Sequence, residues 1–123
     1  MSRTAVIIVA AGRGQRFGSE TPKQYLSVQG QTLIHHAVSA FVNHPKIDAV
    51  LPVIHPDDAE PLRRALKGLD FMTPVAGGAT RQQSVLNGLE ALAGFAPDTV
   101  LVHDAARPMV SAELIDRVLD GLE

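Results

Sequence analysis

Four consecutive residues near the start, Val6, Ile7, Ile8 and Val9, are apolar and β-branched with no polar residue between them. A strand with one wet face alternates apolar and polar positions. One without alternation has both faces covered, as at the centre of a parallel sheet. A polar, glycine-rich stretch follows over residues 11–21. The period then changes: Thr32 precedes Leu33, Ile34, Ala37, Val38, Phe41 and Val42, an apolar stripe at helical spacing with a hydroxyl placed as N-cap. Residues 49–54 predict a second strand, stopped by His55-Pro56. Asp57 and Asp58 are placed to cap a helix reaching about residue 67, with Pro61 tolerable only in its first turn. Residues 71–75 predict a weaker third strand, at an edge because Pro74 cannot donate to a ladder. Thr80 and Gln83 have capping-box spacing ahead of Val85, Leu86 and Leu89. Residues 99–102 predict a fourth strand ending at His103-Asp104. Ser111 is placed to cap a last helix whose apolar face is Leu114, Ile115, Val118, Leu119 and Leu122.

Strand and helix alternate throughout, with no linker, repeat or low-complexity tract. That order predicts an α/β domain: an open, Rossmann-like, mostly parallel sheet with right-handed crossovers and helices on both faces. The 123 residues fit one such domain, 46% of them hydrophobic and 20% charged. The last helix runs to Glu123, and the chain looks cut rather than finished. A net charge of −2 gives no sign of a nucleic-acid or membrane partner, so an anionic ligand must be held by local features. The absence of cysteine excludes disulfides, thiolate metal sites and cysteine nucleophiles, and fits a reducing cytoplasm. The first apolar run is short, carries one basic residue before it and ends in Gly12-Arg13-Gly14-Gln15-Arg16, which reads as a buried strand and not as a signal peptide.

Three polar clusters interrupt the pattern, over residues 10–23, 77–84 and 103–108, each just after the carboxyl end of a predicted strand. In open α/β sheets the ligand crevice forms along that edge, so three separate segments point to one site. In the first cluster, Gly12, Gly14 and Gly18 allow close approach of backbone N–H groups to phosphate oxygens, and Arg16 and Lys23 add charge. The alternative is a flexible turn with two solvated cations. A dinucleotide fingerprint would need glycine where Phe17 stands and an acid further on, and Pro22 would break its helix. A Walker A loop would need Gly-Lys-Ser/Thr, which is absent. In the second cluster Gly77-Gly78 permits tight contact with a flat base, and Ser84 offers a hydroxyl; a plain helix cap is the competing reading. In the third, Asp104 at a strand end is suited to Mg²⁺ with phosphates completing the shell, or to an ion pair with Arg107. His103 reads as a packed, hydrogen-bonded histidine, and His35 and His36 receive no metal role.

The runs Ala10-Ala11-Gly12-x-Gly14-x-Arg16 and Pro22-Lys23-Gln24-Tyr25-Leu26 resemble the nucleotide loop of methylerythritol phosphate cytidylyltransferases. Gly77-Gly78, Arg81 and Ser84-Val85-x-Asn87-Gly88-Leu89 look like that family's second signature, and His103-Asp104-Ala105-Ala106-Arg107-Pro108 like its third. The match runs in order along almost the whole chain. The resemblance implies the nucleotide-diphospho-sugar transferase type of sheet, with its C-terminal part missing here. It implies transfer of the cytidylyl group of CTP to 2-C-methyl-D-erythritol 4-phosphate, release of pyrophosphate, a Mg²⁺ cofactor and a homodimer at full length. It assigns Arg16 and Lys23 to the transition state. Ala10, Ala11, Gly12 and Gly14 fall to the nucleotide backbone contacts, and Gly77, Gly78 and Ser84 to the base. Asp104 goes to the metal, and Arg107 either contacts substrate or orients Asp104. The competing readings are a sugar-phosphate or molybdopterin nucleotidyltransferase, separable by nucleotide preference, and a truncated nucleotide-binding module without activity. A dinucleotide-dependent oxidoreductase is a more distant alternative.

Overall fold

A computed structural model describes residues 3–12, 23–107 and 111–121 and, of Lys23, the backbone only. Strand β1 (Thr4–Ala10) lies inside a four-stranded parallel sheet with β4 (Ala49–Ile54), β5 (Val75–Ala76) and β6 (Thr99–Asp104), in the order β5-β4-β1-β6. Between β1 and β4 stand a small antiparallel hairpin, β2 (Ser27–Val28) and β3 (Gln31–Thr32), and helix α1 (Leu33–Val42). Helices α2 (Ala59–Ala65), α3 (Arg81–Ala91) and α4 (Ala112–Asp120) follow β4, β5 and the β6 segment.

The unbroken apolar run of β1 is explained by its two faces. Val6, Ile8 and Ala10 join Val50 and Ile54 under Ile34, Val38 and Phe41 of α1, Leu62 and Leu66 at α2, and Ile115 and Leu119 of α4. Ala5 and Ile7 join Leu51 and Val53 on the opposite face, together with Leu92 at the end of α3. The register Val6↔Val50 and Ile7↔Leu51 keeps each set on its own side.

Pro52 is fully buried inside β4 yet costs no ladder bond. Val50 and Ile54 turn their carbonyls outward, to the N–H groups of Met72 and Gly77. Pro52 turns its nitrogen the same way, and β5 pairs only with Val53 and Ile54.

Several expectations need correction. The third strand is Val75–Ala76, not residues 71–75; Met72 gives one hydrogen bond to Val50, and Pro74 lacks the N–H needed to extend the ladder upstream. Its edge position stands. Helix α2 ends at Ala65, short of residue 67, before Gly68 at φ +89°. Asp58 makes no side-chain cap there; His55 caps the preceding 3-10 turn by accepting from the Asp57 N–H. The capping box at α3 is half formed: Thr80 accepts from the Gln83 N–H, but the Gln83 amide donates to Asn87 instead of turning back. Helix α3 buries Ser84 and Gly88, and leaves Leu86 and Leu89 exposed. Gly88 decides this, since a Cβ there would stand 3.0 Å from Ile7 and 3.1 Å from Val53. In α4 Ile115 and Leu119 are buried while Leu114 and Val118 are exposed; Leu122 lies outside the described residues. Thr32 and Ser111 cap α1 and α4 as the spacing predicts.

Candidate active site

The strand order fixes where a ligand can sit. From β1 the chain moves outward through β4 to β5, then returns to the other flank of β1 as β6. The segments after β1, β4 and β6 lead to α1, α2 and α4 on one face, and the segment after β5 leads to α3 on the other. A ligand crevice is therefore expected along the carboxyl edge between these two sets. Val9 pairs with Asp104 at that edge, and the Ala105 N–H donates to the Val9 carbonyl.

The glycine pair closes on the first loop. The Gly77 N–H donates to Ile54 at 2.7 Å, fastening the segment to the end of β4. A Cβ on Gly77 would overlap the Cβ of Ala11 and stand 2.6 Å from Ser84 Oγ, so only glycine fits against these two side chains. Ser84 is 1% exposed and its hydroxyl accepts from the Gly78 N–H at 3.1 Å. Asn87 donates to the Ala76 carbonyl and accepts from Gln83, bracing the same turn from α3. Ser84 thus holds the glycine pair in shape from beneath.

Asp104 stands between two guanidinium groups. Arg81 Nε donates to its Oδ1 at 2.9 Å, and Arg107 Nε lies 3.5 Å from its Oδ2. The carboxylate side chain is 32% exposed, those of Arg81 and Arg107 57% and 72%. Such pairs, open to water, exchange partners at little cost. Arg81 stands within the second signature of the sequence, which assigns it no role. A signal existed: a cation in the first turn of a helix opposes the helix dipole and calls for an anion nearby. His103 packs against Phe41 with ring centroids 5.3 Å apart. Its Nε2 is buried with no hydrogen-bond partner among the described residues, which corrects the hydrogen-bonded reading. Burial pulls its pKa below the usual histidine range; the Asp104 carboxylate opposes that shift and Arg107 adds to it. His35 and His36 donate instead to the carbonyls of Ala65 and Val28.

Ala10, Ala11, Gly12, Gly77, Gly78, Ser84, Asp104 and Arg107 thus gather at one sheet edge. Gly14, Arg13, Arg16 and Pro108 lie outside the described residues, as does the Lys23 side chain; the Lys23 backbone opens a 3-10 turn, Lys23–Tyr25. Among the described residues no three His, Cys, Asp or Glu side chains come together as a metal cage. A single carboxylate at the sheet edge, Asp104, does fit Mg²⁺, an ion that takes one or two carboxylates and keeps the rest of its shell for phosphates and water.

The family model for 2-C-methyl-D-erythritol 4-phosphate cytidylyltransferase (IspD) matches residues 4–123. The chain belongs to the IspD family. A bifunctional enzyme IspD/IspF from Bradyrhizobium diazoefficiens is 55% identical over 119 residues, covering 97% of this chain and 30% of that protein. The solved 4-diphosphocytidyl-2C-methyl-D-erythritol synthase of Anaerococcus prevotii superposes with a TM-score of 0.80 at 31% identity, covering 98% of this chain and 51% of that one. The cytidylyltransferase of Thermus thermophilus gives a TM-score of 0.71 at 38% identity, over 98% and 49% of the two chains. The chain therefore spans about a third to a half of these IspD relatives. Among the described residues no helix is long and apolar enough to cross a membrane.

Proposed function

We propose that the protein carrying this chain transfers the cytidylyl group of CTP to 2-C-methyl-D-erythritol 4-phosphate in isoprenoid precursor synthesis. The observation that carries this reading is the meeting of the three polar segments at the carboxyl edge of the sheet, where Gly77 closes on Ala11 and Arg81 on Asp104, in a chain of the IspD family. A phosphate oxygen of the acceptor attacks the α-phosphorus of CTP, the bond to the β-phosphate oxygen breaks, and pyrophosphate leaves. No covalent intermediate on the protein is needed.

Two polyanions must be aligned and their growing charge offset, so positioning and cations do most of the work. Ala10, Ala11, Gly12 and Gly14 offer backbone contacts to the nucleotide. Gly77 and Gly78 read the cytosine through backbone groups, with Ser84 fixing their shape. Arg16 and Lys23 stabilise the phosphoryl transition state. Asp104 would hold Mg²⁺, which when bound offsets phosphate charge. Arg107, and with it Arg81, is free to exchange Asp104 for a phosphate oxygen. A cytoplasmic homodimer is part of the same reading.

Calorimetric titration of the folded chain with CTP, GTP, UTP and ATP in Mg²⁺ tests it. Selective CTP binding is expected; preference for GTP, or none for CTP, overturns it. Lys23→Ala should lower turnover of the whole protein by at least about 10²-fold, the scale of one lost electrostatic stabiliser. Near-normal turnover would remove Lys23 from the mechanism.

A further inference from the structure

Gln24 follows Lys23 in a 3-10 turn, and it is 5% exposed. A buried amide must spend its donors, and both of Gln24's go to one place. Its Nε2 donates to the Ala10 carbonyl at 2.8 Å and to the Gly12 carbonyl at 3.0 Å. Those two carbonyls flank Ala11 at the start of the glycine-rich loop. A carbonyl oxygen turned towards a triphosphate repels it, whereas an N–H turned towards it attracts. Because a trans peptide sets C=O and N–H antiparallel, holding the Ala10 carbonyl towards Gln24 turns the Ala11 N–H to the opposite side.

We infer that Gln24 is a positioning residue for nucleotide binding: it withdraws two carbonyls from the phosphate side of the loop and ties that loop to the turn carrying Lys23. The inference rests on the proposed nucleotide site and adds a residue to it. Gln24 touches no phosphate itself; it acts through the backbone it holds. Its role therefore concerns the triphosphate, while the base is met by the glycine pair on the far side of Ala11.

The test is a pair of affinities. CTP with Mg²⁺, and cytidine alone, are titrated into the wild-type chain and into Gln24→Met, which keeps the length but donates nothing. Thermal melting establishes the folded fraction of each. CTP binding should weaken by about tenfold or more, the scale of a buried hydrogen-bonding group left unmade. Cytidine binding should stay within about twofold. A merely structural role would move both affinities together, and that outcome, or unchanged CTP affinity, overturns the inference. Should Gln24→Met not fold, Gln24→Asn keeps an amide too short to reach both carbonyls and must show the same selective loss. A wild-type chain that binds cytidine and CTP equally well contradicts a triphosphate-holding loop. One that binds neither overturns the nucleotide site, and this inference with it.

Discussion

The two ends of the sheet both recruit aspartates, and they use them differently. At the amino end, Asp48 donates its N–H to the Thr4 carbonyl and accepts from the Thr4 N–H at 2.7 Å. Asp98 repeats the arrangement with Arg3, whose guanidinium also donates to Phe95 and lies over its ring. Each carboxylate there is tied to the main chain and joins the start of one strand to the start of β1. At the carboxyl end, the Asp104 carboxylate meets, among the described residues, the guanidinium groups of two long, exposed side chains. A carboxylate bound to backbone is committed to the fold; one bound to guanidinium tips is available to a ligand.

Mutations can break that contrast. Asp48→Ala leaves the part-buried Thr4 N–H without its charged acceptor and should cost about 1.5–3 kcal/mol, the range for hydrogen bonds to charged groups, in a denaturant titration. CTP affinity of the folded chain should hardly change. Asp104→Asn should do the reverse. The Mg²⁺ dependence of CTP binding should weaken by about tenfold or more, on the scale of a disturbed metal site, with little change in stability. An unchanged Mg²⁺ titration would reject the metal assignment, and a large loss of stability would place Asp104 with Asp48. Arg81→Ala removes one exposed ion pair and should alter stability by no more than about 1 kcal/mol; a larger loss would make that pair structural.

The smallest expected effect concerns His103. Its folded pKa lies below the unfolded value, so as pH falls through about 6.5 the unfolded chain takes up a proton first. The stabilisation is complete above that pH, declines as pH falls, and levels off beneath the folded value. Melting temperatures between pH 7.5 and 5 should fall more for wild type than for His103→Gln. Equal slopes would show that the ring is not held neutral.

These predictions rest on residues of unequal visibility in the sequence. Strand β1 was legible because an all-apolar β-branched run has few other homes, and the three hydroxyl caps because Thr32, Thr80 and Ser111 stand just before their helices. The β2–β3 hairpin was not: its turn needs positive φ at Gln29 and Gly30, and glutamine is no turn signal. The packing face of α3 was misjudged because size, not hydrophobicity, selects it; Gly88 fits where Leu89 would not. The site segments were legible from glycine placement and resemblance. Arg81 and Gln24 stand in the signature motifs but carry no role there, because a side chain's partner across the fold leaves no periodic trace.

The contact at Gly88 has a mechanical consequence. With no side chain between the helix backbone and Ile7 and Val53, Gly88 brings α3 into close contact with the sheet and would serve as a fulcrum. Arg81 stands seven residues away along the same axis, a lever arm of about 10 Å. A tilt of α3 too small to disturb the core would be magnified at its tip, moving Arg81 and the glycine pair together against Asp104 and Ala11. The crevice would then widen or narrow through one rigid rod, without any strand leaving its register.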